Sequence, residues 1–318
     1  MKKIAAVTGG GGFIGRRLVA QLISVGYQVR VLTRNSQNKN NFSAVSYFQG
    51  DLVDSSEAQL SAFLDGVDVL YHCAAEIVDE SKMVAINYEG TKKLVFAARG
   101  RIKRWVQLST AGVYGADSAT ITEESTPKPA NVYESTKLSA DLVMLDVLSN
   151  SKTVWSVLRP TTVYGADMPN NSFRALINAV LNKRFFYIGR KGAILPYIHV
   201  DDVVNALILC GEHDEAIGEI FNLSEDVTIE NFVQSIARIK DRQIHPIRFP
   251  EFIVRAITAF LSWCPHFPLT KSRIDALTRH VQYPTNKIRI RLGFTPVKGF
   301  HNGLKEMLEI DSIKAANS

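Results

Sequence analysis

The sequence predicts an α/β fold, a doubly wound parallel sheet with a smaller, mostly helical C-terminal lobe. Three observations lead to this prediction. Short β-branched runs alternate with apolar residues at helical spacing through residues 1–165, glycines crowd the turn after the first run, and the alternation loosens from Ala166 onward. Strands that alternate with helices form right-handed βαβ units and therefore a parallel sheet. With its glycine turn, the pattern is typical of a Rossmann-type domain.

The glycine turn joins the first predicted strand to the first predicted helix. Gly9, Gly12 and Gly15 recur there at three-residue spacing. A helix N-terminus offers unpaired N–H groups and the positive end of the helix dipole, and glycine lets a phosphate approach the backbone. A P-loop is excluded because no Gly-Lys-Ser/Thr follows. The turn is therefore where we expect the pyrophosphate of a dinucleotide, with an ordinary flexible turn as the alternative.

The second predicted strand, Gln28–Thr33, bears on the identity of that dinucleotide. In this fold an acidic residue about 20 positions beyond the glycines holds the ribose hydroxyls, whereas an arginine accommodates a 2′-phosphate. Arg34 lies 19 positions after Gly15, and neither Asp nor Glu occurs between Arg30 and Asn41. The sequence therefore favours NADP(H), with NAD(H) as the alternative.

Later elements carry polar and small residues to one edge of the predicted sheet. The further predicted strands are Val45–Phe48, Val67–His72 and Trp105–Leu108, and the predicted helices end at Leu64 or span Ser81–Ala98 and Ala130–Leu148. Asp51, Ala74 and the pair Ser109-Thr110 follow these strands closely. Ligands of such sheets bind outside the carboxyl ends of the strands, so we expect these residues to line one site.

Tyr133 and Lys137 lie four apart in the predicted helix Ala130–Leu148 and so share one helical face. A free phenol has a pKa of about 10, and a neighbouring ammonium is expected to lower that pKa. Three other Tyr-x-x-x-Lys pairs occur in the chain, but only Tyr133 follows closely on a hydroxyl pair at a strand end, Ser109-Thr110. Tyr133 could thus exchange a proton while hydride moves to or from a nicotinamide. The alternative is an ordinary exposed helical pair.

Five motifs occur in order over most of the chain, and together they carry a resemblance. They are Thr8-Gly9-Gly10-x-Gly12-Phe13-Ile14-Gly15, Ser109-Thr110-Ala111-Gly112-Val113-Tyr114-Gly115, Tyr133-x-x-x-Lys137, Arg159-Pro160-Thr161-Thr162-Val163-Tyr164-Gly165 and Tyr197-Ile198-His199-Val200-Asp201-Asp202-Val203. The chain resembles the extended short-chain dehydrogenase/reductases and, more narrowly, the NAD-dependent epimerase/dehydratase family that works on nucleotide sugars. The motifs specify the superfamily more closely than the reaction.

The resemblance implies a role for each matching residue. Tyr133 would be the acid/base, Lys137 would bind the ribose and lower the phenol pKa, and Thr110 would hydrogen-bond the substrate oxygen. The implied cofactor contacts, besides Arg34 and the two helical residues, are Gly9, Gly12, Phe13, Ile14, Gly15, Asp51, Leu52 and Ala74. The substrate-binding candidates are Thr110, Thr162, Asn171, Arg174 and Arg279.

The chain also departs from the family pattern. The 4,6-dehydratases have an Asp-Glu pair where this chain has Ala111-Gly112, so dehydration is not expected. UDP-galactose 4-epimerase has Asn where this chain has Thr162, and Arg-Asp where it has Leu195-Pro196. A diphosphate-binding arginine is therefore missing, although Arg174, Arg273 or Arg279 could replace it. The Leu-Pro version also resembles dihydroflavonol reductases and 3β-hydroxysteroid dehydrogenases, which bind no nucleotide substrate.

These features give one leading interpretation and two alternatives. The leading interpretation is an NAD(P)-dependent sugar-nucleotide epimerase or oxidoreductase that transfers hydride at a sugar hydroxyl or keto carbon, in the synthesis of surface-polysaccharide precursors. The first alternative is an NADPH-dependent ketone or hydroxyl reductase acting on a non-nucleotide substrate. The second is a sensor that binds NADP(H) without turnover. The resemblance also implies a homodimer that pairs through the helices around Ser81–Ala98 and Ala130–Leu148.

The domain prediction follows the loss of strict alternation. Residues 1–165 form the dinucleotide-binding domain, to which 199–223 return, and residues 166–198 and 224–318 form the substrate-binding lobe. Tyr187–Pro196 is predicted to be a short hairpin. His199, within an apolar run, is expected to be structural, and Asp201-Asp202 are expected to cap the helix that follows.

Composition excludes several other classes of protein. The net charge of +6 is mild for 318 residues, and nucleic-acid binding would need basic residues gathered on one face. Three distant cysteines predict no disulfide framework and favour the cytoplasm. The apolar segment Phe252–Cys264 is too short to span a bilayer, which needs about 20 residues, and is expected to pack or to cover substrate, with a peripheral membrane contact as the alternative. No histidine or cysteine cluster has metal-ligand spacing, so no metal is expected.

Overall fold

The computed structural model describes residues 2–34, 44–261 and 269–316. The strands are β1 (Ile4–Thr8), β2 (Gln28–Thr33), β3 (Val45–Gln49), β4 (Val69–His72), β5 (Arg104–Leu108), β6 (Val154–Pro160), β7 (Thr162–Tyr164), β8 (Tyr187–Ile188), β9 (Ile194–His199), β10 (Glu219–Leu223), β11 (Glu225–Thr228) and β12 (Arg248–Phe249). The α-helices are α1 (Phe13–Ser24), α2 (Glu57–Leu64), α3 (Glu80–Met83), α4 (Gly90–Ala98), α5 (Val132–Ser149), α6 (Ser172–Leu181), α7 (Val200–Glu212), α8 (Ile229–Ile239), α9 (Glu251–Leu261), α10 (Lys271–Thr278), α11 (Asn286–Leu292) and α12 (Gly299–Ala316).

Seven parallel strands form the central sheet in the order β10-β6-β5-β4-β1-β2-β3. The Rossmann-type doubly wound prediction is therefore confirmed. The chain adds β2 and β3 on one side of β1 and then returns to add β4 on the other side. Ligands of such sheets bind in the crevice at this reversal, which places Thr8 at the end of β1 beside His72 at the end of β4.

Two apolar layers cover the sheet. On one face, side chains of α1 and α7 such as Leu18 and Leu207 are fully buried against it. On the other face, α2, α4 and α5 contribute Phe63, Leu94 and Met144, also fully buried. Strands buried on both faces read as nearly continuous apolar runs, which is why the sequence marks them clearly.

Element boundaries differ from the predicted ones where local hydrogen bonds intervene. Strand β4 begins at Val69 rather than Val67, because the Val67 N–H donates to the Leu64 carbonyl and closes the turn after α2. The helix predicted over Ser81–Ala98 contains a π-helical segment, Val84–Glu89, between α3 and α4.

The hairpin predicted over Tyr187–Pro196 is wrong. Strand β8 pairs in parallel with β12, whereas β9 lies between β7 and β11 in a separate three-stranded sheet. Gly189 and Gly192 between them have positive φ angles of 66° and 85°, and this turn leads β9 away from β8. Each strand therefore finds its partner elsewhere in the chain.

The smaller lobe has its own apolar core, built by α6, α8 and α12 around Tyr164. The buried Asp202 carboxylate joins this lobe to α7 by accepting N–H bonds from residues 297, 298 and 299 at 2.6, 2.8 and 3.0 Å. His199, rather than the predicted aspartates, caps α7, since its Nδ1 accepts from the Asp201 N–H at 3.2 Å. Among the described residues, no helix combines the length and apolarity needed to cross a bilayer.

Candidate active site

The glycine turn forms a backbone cradle before α1. Gly9 has a φ of 69°, and a Cβ there would lie 2.7 Å from the Ala74 nitrogen. A Cβ on Gly15 would lie 2.8 Å from the carbonyl carbon of Gly9. Gly12 occupies the N-cap position of α1, so no capping side chain bonds the backbone N–H groups of the first turn. This cradle fits a dinucleotide pyrophosphate, and Phe13 and Ile14 begin the helix that lies behind it.

The candidates for the adenosine side lie at the ends of β2 and β3. Asp51 accepts backbone N–H bonds from Val53 at 2.8 Å and Asp54 at 2.7 Å, which fixes the turn that carries Leu52. Leu52 is buried against Gly90 of α4: a Cβ added to Gly90 would lie 2.7 Å from the Leu52 Cβ. Arg34 is exposed directly after β2. Residues 35–43, which follow Arg34, lie outside the described residues.

A buried chain of hydrogen bonds starts at the end of β1. The Thr91 hydroxyl donates to the Asn87 carbonyl at 2.6 Å, so its oxygen must accept from His72 Nε2 at 2.8 Å. His72 Nδ1 is then unprotonated and accepts from the Thr8 hydroxyl at 2.7 Å, while Thr8 accepts from the Ala74 N–H at 3.3 Å. Burial, together with a smaller contribution from the nearby Lys137, lowers the pKa of His72 to about 3. The imidazole is therefore neutral, with its proton on Nε2.

The same chain of hydrogen bonds continues into α5. The Asn87 amide donates to the Thr136 hydroxyl at 3.1 Å, and Thr136 donates to the Tyr133 carbonyl at 2.9 Å. Asn87 also bonds the Glu76 backbone through both ends of its amide, at 2.7 and 3.0 Å. The glycine turn, the loop after β4 and the start of α5 are thus tied together by side chains that the sequence did not mark as one group.

Ser109 and Thr110 have different surroundings. The buried Ser109 hydroxyl donates to Asp141 Oδ2 at 2.7 Å and so points away from solvent. Thr110 is half-buried, and its hydroxyl oxygen accepts from the Gly112 N–H at 3.1 Å. Gly112 contacts α5 closely, since a Cβ there would lie 2.9 Å from Glu134 Oε1. Of the two hydroxyls, Ser109 already donates to Asp141 on α5, whereas the Thr110 oxygen accepts from the Gly112 N–H.

A buried ion pair stands behind Ser109. Asp141 Oδ2 also accepts from Arg159 Nε at 3.2 Å and Nη2 at 2.9 Å, and Arg159 Nη1 donates to the Tyr114 hydroxyl at 2.7 Å. Asp141 is fully buried and Arg159 is 4% exposed. Burial alone would lower the pKa of Arg159, but Asp141 and Tyr114 raise it overall. Sequence reasoning missed this pair, although a charged residue within each apolar pattern signals a buried partner.

Tyr133 lies in the first turn of α5, and Asn131 caps that turn by accepting from the Glu134 N–H at 2.9 Å. Lys137, 2% exposed, donates from Nζ to the Leu108 carbonyl at 2.7 Å. Burial, together with smaller contributions from Asp141 and Glu134, raises the pKa of Tyr133 to about 12. The prediction that Lys137 lowers the pKa of the phenol is therefore wrong, because burial and two carboxylates determine the direction of the shift.

The substrate-binding candidates are spread over the smaller lobe and its border. Thr162 is exposed on β7, and Asn171 is exposed at the N-cap of α6 without a side-chain capping bond. Arg174 donates from Nη2 to the Ala166 carbonyl, so its guanidinium already has a backbone partner. Arg279 is exposed after α10, where its carbonyl accepts from the Ile194 N–H at 2.7 Å.

The structure also brings together an acidic group that sequence spacing could not show. His199, Asp201 and Glu306 place one ligand atom each within 4.8 Å of one another. Arg17 pairs with Asp201 at 3.3 Å, and Lys298 pairs with Glu306. The carboxylates thus already have cationic partners, so the group reads as an ion-pair cluster between the two lobes.

Comparisons with known proteins agree with this geometry. The family model described as "NAD dependent epimerase/dehydratase family" matches residues 5–224. The chain is 28% identical to the 2-alkyl-3-oxoalkanoate reductase of Shewanella oneidensis, over 87% of this chain and 76% of that protein. It is 27% identical to the decarboxylating sterol-4-alpha-carboxylate 3-dehydrogenase of Mus musculus, over 93% and 80%. The solved structure of MoeE5 in complex with UDP-glucuronic acid and NAD shares the fold, with a TM-score of 0.74, 24% identity and coverage of 98% of this chain and 99% of that one.

Proposed function

The chain belongs to the NAD-dependent epimerase/dehydratase family and is an enzyme of the extended short-chain dehydrogenase/reductase type, and we propose that it transfers hydride between a nicotinamide dinucleotide and a secondary hydroxyl or ketone carbon. The observation that carries this proposal is the bond from Lys137 of α5 to the Leu108 carbonyl at the carboxyl end of β5, which Thr110 follows closely. The first turn of α5, which contains Tyr133, packs against Gly112 just after that strand end. The proposal concerns the reaction at one carbon and does not extend to dehydration. A glutamate at Gly112 would collide with Glu134, which bonds the Ala130 N–H at 2.7 Å.

Three side chains divide the proton chemistry. Tyr133 would release its proton to, or take it from, the substrate oxygen as hydride moves. When bound, the oxidised nicotinamide supplies the hydride acceptor and a positive charge that favours the phenolate. Lys137 uses one of its three N–H donors on the Leu108 carbonyl, which leaves two for the cofactor ribose and the phenol. Thr110 accepts from the Gly112 N–H, so its own proton can be donated to the substrate oxygen.

The substitution Tyr133→Phe tests this assignment. Loss of the acid/base should reduce kcat by about 10²- to 10⁴-fold, while the dissociation constant of the dinucleotide stays within about twofold. Tyr187→Phe is the matched control, because Tyr187 begins another Tyr-x-x-x-Lys pair but lies on β8 of the smaller lobe, with Arg248 over its ring. Turnover that survives in the Tyr133 variant would remove Tyr133 from the mechanism.

We further propose a preference for NADP(H), which rests on Arg34. Its exposed guanidinium follows β2 directly, where a 2′-phosphate would lie in this fold. Arg34→Ser should lower the ratio of kcat/KM for NADPH to that for NADH by about tenfold or more, because a charge-assisted phosphate contact is lost. Arg101→Ser, at an exposed arginine before β5, is the control and should leave the ratio unchanged. A wild-type enzyme that prefers NADH would contradict the proposal.

For the substrate, we favour a non-nucleotide ketone or alcohol over a nucleotide sugar. Leu195 is buried in β9 where the epimerase resemblance expects a diphosphate-binding arginine, and Arg174 is bonded to the Ala166 carbonyl. One expected diphosphate-binding arginine is thus replaced by leucine, and the guanidinium of a second candidate already bonds a backbone carbonyl. The two curated relatives named above, a 3-oxoalkanoate reductase and a sterol dehydrogenase, support the same class.

A nucleotide sugar is the second candidate, and one observation favours it. A cavity of 880 Å³ near Arg279 is lined by Arg190, Arg248 and His280 among others, so cations are present in the smaller lobe. In that case the enzyme would act in the synthesis of surface polysaccharides. Thermal shifts with UDP- and dTDP-sugars, and with 3-oxoacyl esters and 3-ketosteroids, each in the presence of NADP⁺ or NAD⁺, separate the candidates. Stabilisation by a nucleotide sugar alone would overturn our preference.

We place the enzyme in the cytoplasm. Cys73 and Cys210 are free thiols, and burial raises the pKa of both to about 12, so a reducing compartment suits them. Cys264 lies outside the described residues. Cell fractionation, with an antibody used to detect an epitope-tagged chain in each fraction, tests this placement.

A further inference from the structure

Helix α9 presents an apolar face that no described part of the protein covers. Phe252, Ile257 and Phe260 are 73%, 49% and 76% exposed. They project from one side of the helix, because their positions fall within less than half a turn of one another. Val254 and Thr258, on the opposite side, are buried against the lobe. Contiguous exposed apolar side chains of this size mark an interaction surface.

The surface around α9 is basic. Residues 248–279, which contain β12, α9 and α10, include 5 Lys and Arg against 2 Asp and Glu, a net charge of +3. The carboxylates of α9 and α10, Glu251 and Asp275, both pair with Arg255 at 2.7 Å. Lys271 is exposed at the start of α10, and α10 packs against α9. Lys191 is also exposed, and its neighbour Arg190 lines the same cavity as Phe252. Local acids are thus neutralised within the lobe, and the remaining charge is positive.

We propose that α9 docks on the surface of an anionic lipid bilayer, with Phe252, Ile257 and Phe260 inserted at the headgroup boundary and the neighbouring cations against the lipid phosphates. A helix with an aromatic and aliphatic face flanked by Lys and Arg has the composition of an interfacial helix. Each cation near an anionic surface adds attraction that decays within a Debye length. With 11 residues, α9 is about 16 Å long and lies on a bilayer instead of crossing it.

A second copy of the chain fits this face less well. Pairing of two identical faces about a twofold axis would bring two basic surfaces together, and like charges oppose such an interface. An anionic bilayer meets both the apolar and the electrostatic character of the surface. The inference goes beyond the proposed hydride transfer and holds for either substrate class, because it concerns where the protein lies and not what it reacts with.

Sedimentation with sucrose-loaded vesicles tests the proposal without any measurement of activity. The full chain should bind vesicles of phosphatidylcholine and phosphatidylglycerol (3:1) about tenfold or more tightly than vesicles of phosphatidylcholine alone. Raising NaCl from 0.1 to about 0.5 M should weaken that binding, because screening shortens the reach of the charges. The double variant Lys191→Glu/Lys271→Glu should weaken it in the same way.

The apolar contribution is tested separately. Phe252→Ser/Phe260→Ser should reduce the partition coefficient by about tenfold or more, since two exposed rings no longer enter the interface. Ile290→Ser is the matched control: Ile290 is 81% exposed but lies on α11, which packs against β10 of the central sheet, so its loss should leave partition within about twofold.

Three results would overturn the proposal. The first is wild-type protein that stays in the supernatant with anionic vesicles. The second is an equal loss of binding in the Ile290 variant and the double Phe variant. The third is a double Phe variant that converts a dimer to a monomer by light scattering without altering vesicle binding, which would assign the face to a second copy. Melting curves of all variants verify that each one is folded.

Discussion

Asp141→Asn is the substitution whose consequence follows most directly from the structure. Asp141 Oδ2 accepts from Ser109 and from two nitrogens of Arg159, and Oδ1 has no hydrogen-bond partner among the described residues. Asparagine keeps the shape and one acceptor oxygen but removes the negative charge. Arg159, 4% exposed, then keeps its charge beside only the neutral Tyr114 hydroxyl.

The expected loss is about 3 kcal/mol in the free energy of unfolding. Removing one partner of a buried ion pair costs roughly 3–5 kcal/mol, and the retained amide oxygen places this variant at the lower end. With a urea m-value of about 3 kcal/mol per M, the unfolding midpoint should fall by roughly 1 M. Far-UV circular dichroism against urea, at pH 7 and matched protein concentration, measures the shift.

Asp117→Asn supplies the matched control. Asp117 pairs with Lys128 at 3.3 Å, and both side chains are more than half exposed, so the same chemical change should cost less than about 1 kcal/mol. A midpoint for Asp141→Asn as close to wild type as that of the control would refute the buried-pair reasoning. In a double-mutant cycle, adding Arg159→Met should recover part of the loss, because it removes the uncompensated cation.

Further predictions concern pH, the glycine turn and assembly. The pKa of His72 is about 3 in the folded state and 6.5 in the unfolded state, so its stabilising contribution is complete above pH 6.5 and is lost as the pH falls from 6.5 towards 3. Between pH 7 and pH 4.5, the free energy of unfolding measured with urea should therefore fall more steeply in wild type than in His72→Gln, by up to about 1.4 kcal/mol per pH unit. Parallel curves for the two proteins would contradict this prediction. Gly15→Ala should weaken dinucleotide binding, measured by fluorescence titration, about tenfold or more. A Cβ on Gly11 would have no atom within 4 Å, so Gly11→Ala should change the dissociation constant by no more than about threefold. Equal effects of the two substitutions would refute the cradle geometry. The resemblance predicts a homodimer, so light scattering should give twice the 35.3 kDa chain mass, and a monomeric mass would contradict it.

The sequence predicts the parts of the candidate site that are contiguous in the chain. The glycine turn and the Tyr133/Lys137 pair are local patterns, and the rule that parallel strands end at one edge was enough to group them. Strand β8 shows the opposite case, because its partner β12 lies about 60 residues away and the nearby turn suggested a hairpin. Local pattern carries no information on which distant strand will offer the free edge.

Burial accounts for the other differences. Spacing places Tyr133 and Lys137 on one helical face, but the direction of a pKa shift depends on desolvation and on nearby carboxylates, here Asp141 and Glu134. His72 stands at the end of an apolar run without any sequence sign that Thr8 and Thr91 would bond both ring nitrogens. A polar residue in a buried strand predicts that partners exist, and only the fold says which.

The position of these networks explains why the superfamily is legible in the sequence and the substrate is not. Helix α5 is tied on one side through Thr136 to Asn87 and on the other through Asp141 to Arg159, so the helix that carries Tyr133 is fixed by buried contacts. Changing such contacts costs several kcal/mol, which restricts the residues that can occupy them. Thr162, Asn171 and Arg279 are exposed on the smaller lobe, where most substitutions cost less than about 0.5 kcal/mol. Substrate recognition can therefore change at little expense in stability while the proposed hydride-transfer geometry stays the same.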